Sequence, residues 1–255
     1  DAIKASNEKL KAIRDNYTII KSNFVNLKEK LNELRINEVD GILFDLGVSS
    51  PQLDTKDRGF SYHNDSKLDM RMDQERNFSA WNVVNEYSEK DLARILFTYG
   101  EEKYGNSIAK NIVKERQIKP INTTFELVEI IKNSMPEKAK RDKHPARKSF
   151  QAIRIEVNHE LDILEKSMKD ALSMLKVGGI LSVITFHSLE DRIVKNVFKE
   201  YTEIDPMVKG LPNIPSNYLP DYELVNHKAI IPTDKEIEEN SRSRSSKLRV
   251  IKRIK

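Results

Sequence analysis

The sequence predicts an α/β protein, with one doubly wound sheet domain interrupted by an all-helical subdomain. Three observations predict it. Apolar, β-rich runs alternate with helical spacing between Ala2 and Val48. No convincing strand occurs from Trp81 to Met135. The alternation then returns after Phe150. At ~150 residues per domain, a chain of 255 residues suits one or two domains and can bury a sizeable core.

The elements follow in order. Ala2–Ile13 has the spacing of an amphipathic helix, with Ile3, Leu10 and Ile13 on one side. Tyr17–Ile20 is a short β-branched run and predicts a strand. Phe24–Leu34 returns to helical spacing through Phe24, Leu27, Leu31 and Leu34. Val39–Val48 has the composition of a buried strand and ends in Gly47 and the Ser49–Pro51 turn. This alternation predicts a βαβ unit and a parallel sheet. Gln52–Gln74 is loop-like. Ser88 with Asp91 and Thr123 with Glu126 are capping boxes within the helical stretch, which a basic linker follows at Lys138–Lys148. Helical spacing resumes over Phe150–Leu175, and Gly178-Gly179 stops it. Ile180–Phe186 is a strand, and Ser188 with Asp191 caps the helix after it. Asp205–Tyr222 is a loop. Lys228–Ile231 and Leu248–Ile254 are closing strands, separated by a turn of helix opened by Thr233 and Glu236.

Composition removes several classes. No apolar run approaches the ~18 residues needed to span a bilayer, so no membrane partner is expected. The chain has no cysteine, which excludes disulfide scaffolds, cysteine zinc sites and thiol catalysis and fits a reducing cytoplasm. There is neither a G-x-G-x-x-G nor a G-x-x-x-x-G-K-[ST] loop, and no His/Asp/Glu set has metal-ligand spacing, so no metal is expected. The net charge of +4 is small, but two local clusters are strongly basic. Arg242–Lys255 contains seven basic residues and no acid, and Pro136–Arg154 contains seven against Glu137 and Asp142. Such clusters suit a phosphate-facing surface, or equally an ordinary solvated one.

In a doubly wound sheet, ligands bind at the carboxyl ends of the parallel strands. The relevant ends are Asp45–Gln52 and Phe186–Arg192. Asp45 lies in an otherwise apolar strand, where a carboxylate needs bonded oxygens or a cationic ligand. Two readings stay open for it: a cap on the following turn, or a contact to a nucleoside-like or cationic ligand. His187 is open between a structural hydrogen-bonding role and a chemical one.

Seven blocks then carry a resemblance. They are DGILFDLGVSSPQLD (Asp40–Asp54), RGFSY (Arg58–Tyr62), LDMRMD (Leu68–Asp73), YGEEK (Tyr99–Lys103), FQAIRIEVNHEL (Phe150–Leu161), FHSLEDRIVK (Phe186–Lys195) and NSRSRSSKLRV (Asn240–Val250). In identity and order they resemble the bacterial 16S ribosomal RNA cytosine-N4 methyltransferases, over the whole chain. The resemblance implies a class I (Rossmann-like) sheet that uses S-adenosyl-L-methionine and carries a helical insertion. It implies a cytidine of the small ribosomal subunit as substrate, and a cytoplasmic location. Members of that family begin with a strand, a glycine-rich loop and an acidic residue that holds the cofactor ribose. Ala2-Ile3 matches the helix just after that position, so the sheet is expected to be N-terminally incomplete here and the chain as given to bind cofactor weakly or not at all.

The resemblance divides the chain into a methyltransferase domain, 1–54 and 149–255, and a substrate-recognising helical insertion, 55–148. It matches Phe24 to the adenine side of the cofactor, and Asp45 and Gln52 to two further cofactor contacts. Ser50, in the Ser49-Ser50-Pro51 turn, and His187 are the candidate groups that accept or position the reacting amine. Arg58, Arg71, Arg154, Lys195, Arg242 and Arg244 are the candidate RNA contacts. The alternative is an RNA-binding or ribosome-assembly factor that does not methylate in this form.

Overall fold

The computed structural model describes residues 2–140 and 144–255. Part of the basic linker, Arg141 to Lys143, lies outside them. In chain order, α1 (Ala2–Lys11) and α2 (Leu27–Glu33) precede β1 (Val39–Asp45) and the short α3 (Ser50–Asp54). Then come α4 (Ala80–Glu86), α5 (Glu89–Thr98), α6 (Gly105–Arg116), α7 (Thr124–Asn133), α8 (Arg147–Asn158) and α9 (Leu164–Ser173). β2 (Leu175–Thr185), α10 (Ser188–Thr202), β3 (Tyr222–Leu224), α11 (Asp234–Glu239) and β4 (Lys247–Arg253) complete the chain. The four strands form one sheet in the order β1-β2-β4-β3. β1 and β2 are parallel, whereas β4 runs antiparallel to both β2 and β3.

Two apolar cores organise the chain. One lies among α4 to α8, where Ile95, Ile108, Ile112, Leu127, Ile131 and Ile153 are buried. The other lies between the sheet and α9 and α10. There Leu181, Val183 and Ile251 meet Met168, Leu172, Val194 and Phe198. α8 and α9 are consecutive, yet Phe150, Ile153 and Val157 of α8 belong to the helical core. The break between them is His159, a left-handed C-cap at φ 52°, which redirects the chain after one helix.

The α/β class and the helical stretch agree with the sequence reading, and so do the caps at Ser88, Thr123 and Thr233. Several details differ. Tyr17–Ile20 forms no strand, because a strand needs a ladder partner and none pairs with it among the described residues. The expected early βαβ unit is therefore absent among the described residues. The parallel pair is β1 with β2, joined through the whole helical lobe. Phe24–Asn26 is a separate 3-10 turn capped by Asn23, not part of the helix that follows. β1 sits at the sheet edge, so the expected buried strand leaves Leu43 64% exposed.

Gly178-Gly179 falls inside β2 instead of before it, at a register shift opposite Val39 and Gly41. Gly178 has φ 85°, and a Cβ on Gly179 would stand 2.9 Å from the Lys176 carbonyl oxygen. Such a bulge needs glycine. At the far edge the short strand is Tyr222–Leu224, at the end of the expected loop. Lys228–Ile231 is reduced to a single bridge between Ile230 and Leu248.

Candidate active site

The parallel pairing of β1 with β2 brings two chain exits side by side. Asp45 is opposite Ile184, and the Leu46 amide donates to the Ile184 carbonyl at 3.1 Å. Beyond Leu46 the chain turns at Gly47, whose φ of 82° favours glycine. A Cβ there would lie 3.6 Å from the Phe186 ring, so the two exit loops are in near contact.

The first exit holds four of the expected residues. Asp45 is exposed at the strand end and has no hydrogen-bond partner among the described residues. The apolar composition of its strand pointed to a buried carboxylate, and the edge position of β1 is why it is not buried. Phe24 packs edge-to-face on Phe44, the residue before Asp45, with ring centroids 5.6 Å apart. Ser49 is the N-cap of α3, and Pro51 stands in its first turn, where its missing N–H costs no helical bond. The Gln52 side-chain oxygen accepts from the Ser49 amide at 2.8 Å and from the Ser49 hydroxyl at 3.1 Å. That bond fixes the turn and leaves the Gln52 amide nitrogen without a partner among the described residues. Ser50 is exposed, and its hydroxyl has no partner among the described residues.

The second exit is built differently from expectation. The N-cap of α10 is His187, not Ser188. Its ring accepts from the Glu190 amide at 3.5 Å, and the Glu190 carboxylate accepts from the Phe186 and His187 amides at 2.8 and 3.3 Å. The cap moves one residue because Glu190, three residues after His187, closes the box on the extended exit. Ser188 is thereby released to donate to Glu101, and Asp191 to pair with Arg249 and Lys247.

The His187 side chain is only 8% exposed, with its Nε2 3.2 Å from Glu190 Oε1 but poorly aligned for a hydrogen bond. Burial pushes the Glu190 carboxyl up, but the His187 ring, the Phe186 amide and Arg154 outweigh it and hold its pKa below the usual range. Beside this pair, Glu160 takes two hydrogen bonds from Arg154, at 2.8 and 2.9 Å.

Glu160, His187 and Glu190 place potential ligand atoms within 4.8 Å of one another. Their donors are already committed. Both Glu160 oxygens face one guanidinium, and Glu190 closes a helix cap. A divalent cation would also add charge next to Arg154. The donor set suits a structural network better than a metal.

The structure separates the remaining candidates. Arg58 donates to the Arg71 and Met72 carbonyls at 2.6 and 3.2 Å, and Arg71 grips Asp69 at 2.7 and 2.8 Å. Arg242 pairs with Asp54 of α3, tying the C-terminal segment to the first exit. Lys195 and Arg244 are exposed and have no partner among the described residues.

Sequence reasoning missed Glu101, Glu160 and Glu190, whose partners are set only by the fold. It also missed a cleft of about 350 Å³ in the helical lobe, lined by Lys67, Asp69, Arg71, Trp81 and Asn122. The Trp81 indole there donates to Asn122 at 3.0 Å. Trp81 lies 14 and 10 residues after Lys67 and Arg71, so only the fold brings them and Asn122 together.

Comparison with known proteins gives the same family throughout. The model of the MraW methylase family matches residues 1–254. A protein of Exiguobacterium sibiricum named ribosomal RNA small subunit methyltransferase H is 53% identical over 255 residues, covering 100% of this chain and 82% of its own length. Proteins of the same name from Lactobacillus delbrueckii subsp. bulgaricus and Lactiplantibacillus plantarum are 54% and 53% identical. Those matches span 92% and 95% of this chain and 75% and 76% of theirs. A family match of this extent, on a fold whose strand exits converge, means that the chain belongs to the MraW methylase family.

Proposed function

We propose that this chain transfers a methyl group from S-adenosyl-L-methionine to the exocyclic N4 amine of a cytidine in 16S ribosomal RNA of the small subunit. The observation that carries this reading is that the β1 exit, side by side with the β2 exit, gathers an aromatic ring with a carboxylate, an amide nitrogen and a hydroxyl that have no partner among the described residues. A ribosomal substrate puts the reaction in the cytoplasm. The names of the relatives support the reading.

The residues present fit the cofactor. Phe24 offers an aromatic edge to a planar base, Asp45 a carboxylate to a cationic group, and Gln52 an amide donor. When bound, the donor supplies a methyl group on a sulfonium centre, so the protein has mainly to orient. The cytosine N4 lone pair is delocalised into its ring. The Ser50 hydroxyl, accepting an N–H of that amine, returns electron density to nitrogen and fixes its approach. His187, the buried N-cap of α10, acts here by holding the second exit in place.

In this reading residues 55–148 recognise the substrate, on a methyltransferase body of 1–54 and 149–255, and α8 shares the helical core. A base must be unstacked to enter the site. Lys195 and Arg244 contact phosphate directly. Arg242 does so on leaving Asp54. Arg58 and Arg71 shape the loop under the Trp81 cleft, which suits a neighbouring unpaired base. Log affinity for RNA is expected to fall linearly with log salt, and alanine at Lys195 or Arg244 should each reduce that slope by about 1. A flat salt dependence removes the electrostatic role.

Single-turnover transfer of labelled methyl to small subunits tests the whole. Asp45→Asn is expected to weaken donor binding by roughly tenfold or more, as a charge-assisted hydrogen bond implies. Ser50→Ala should lower the rate at saturating donor, and an unchanged rate removes Ser50 from the chemistry. RNA binding with no transfer by the unsubstituted protein favours the assembly-factor alternative.

A further inference from the structure

The Tyr99–Lys103 segment has no part in the chemistry above, yet it reaches the candidate site. Gly100 joins α5 to the turn before α6, in a place with no room for a side chain. A Cβ there would lie 2.7 Å from the Leu96 carbonyl oxygen and 2.8 Å from that of Lys148. The next residue, Glu101, is held in the left-handed region at φ 48°, which is uncommon for a residue other than glycine. Its amide donates to Phe97 at 3.1 Å, and its carbonyl accepts from Lys148 at 2.7 Å. The backbone is thus clamped on both sides to the helical lobe.

The carboxylate points the other way, onto the first turn of α10. Its Oε2 accepts from the Ser188 hydroxyl at 3.0 Å, and its Oε1 from Arg192 at 3.0 Å. Ser188 follows directly on His187 and the second exit.

We infer that Glu101 is a positioning residue: its carboxylate sets the angle between the helical lobe and the β2 exit by gripping Ser188 and Arg192. An exposed pair of this kind adds little to stability. Its consequence is geometric, because a substrate spanning both lobes is presented to the exit at the angle they hold. A displacement of an ångström in a transfer reaction is costly. The methyl donor binds at the strand exits and is unaffected. This inference rests on the methyl-transfer reading only for its kinetic arm.

The test is a charge exchange read in two ways. Glu101→Arg and Arg192→Glu are each expected to lower kcat on small subunits by about tenfold, with donor affinity moving less than about twofold. The double exchange is expected to restore kcat to within about threefold. The second arm needs no activity. The chain has no cysteine, so Lys110→Cys and Asn196→Cys, both at exposed positions, give two clean sites for spin labels. The label-to-label distance distribution should broaden in each single variant and narrow again in the double. Unchanged distances in all variants overturn the inference, as does broadening that the double exchange leaves in place. If the unsubstituted protein transfers no methyl group, the functional reading fails, and the distances alone decide the role of Glu101.

Discussion

Replacing Arg154 by alanine is expected to cost the fold about 3–5 kcal/mol, the usual penalty for stranding one partner of a buried ion pair. Arg154 and Glu160 are 16% and 10% exposed and share two short hydrogen bonds. Burial disfavours the Arg154 charge, but attraction to Glu160, and more weakly to Glu190, holds its pKa above the ordinary value. Without the guanidinium, the Glu160 and Glu190 carboxylates face each other across His187 with no strong countercharge. Arg154→Met should lose nearly as much, since it keeps the stem and removes only the charge. Denaturant unfolding with an unchanged m-value measures the loss. The result also decides what Arg154 is for. A stable variant with a shallower salt slope for RNA would assign it to phosphate contact and remove it from the interior network.

Asp191→Asn is expected to destabilise by about 3 kcal/mol and to blunt the response to acid. The carboxylate accepts from Arg249 at 2.7 and 3.2 Å and from Lys247 at 3.1 Å, joining α10 to β4 across the sheet core. Arg249 is 15% exposed and Lys247 43%, so most of the loss comes from the stranded Arg249. Burial raises the Asp191 pKa, but hydrogen bonds from Arg249 and Lys247 lower it further, and the net value lies below the usual 3.8. A carboxyl with a depressed folded pKa contributes stability that is fully present above its unfolded value. That stability is lost as pH falls through the lower folded one. Glu190 behaves alike, from a usual value of 4.5. These two carboxyls therefore add no pH dependence near neutrality, and their contribution should fall away below about pH 5, while His144, whose pKa burial holds below 6.5, adds a shallower loss that begins nearer pH 6.5. In Asp191→Asn the fall should be shallower. An equal acid slope in both proteins would show that Asp191 is not a linked group.

The parts of this fold legible in the sequence are those written within a few residues. Ser88 with Asp91, Thr123 with Glu126, and Thr233 with Glu236 open helices where their spacing says. A cap is a contact between positions three apart, so sequence contains both partners. Its failure at Ser188 is equally local. His187 with Glu190 is a competing box one residue earlier, and only the extended exit of β2 selects it. Tyr17–Ile20 failed for the opposite reason, because β-propensity says nothing about whether a neighbouring strand exists.

The site divides in the same way. By itself the sequence determined the α/β class with its helical stretch, the family through seven ordered blocks, and the two polar strand exits that the parallel pairing sets side by side. The tertiary structure alone decided that β1 is an edge strand with an exposed Asp45. It alone decided that Arg154 turns inward to Glu160, that Asp191 meets Arg249 across 58 positions, and that Glu101 crosses to α10. The reason is physical. Helix periodicity and capping act over one or two turns, whereas the partner of a charge is settled by which surfaces the two apolar cores bring together.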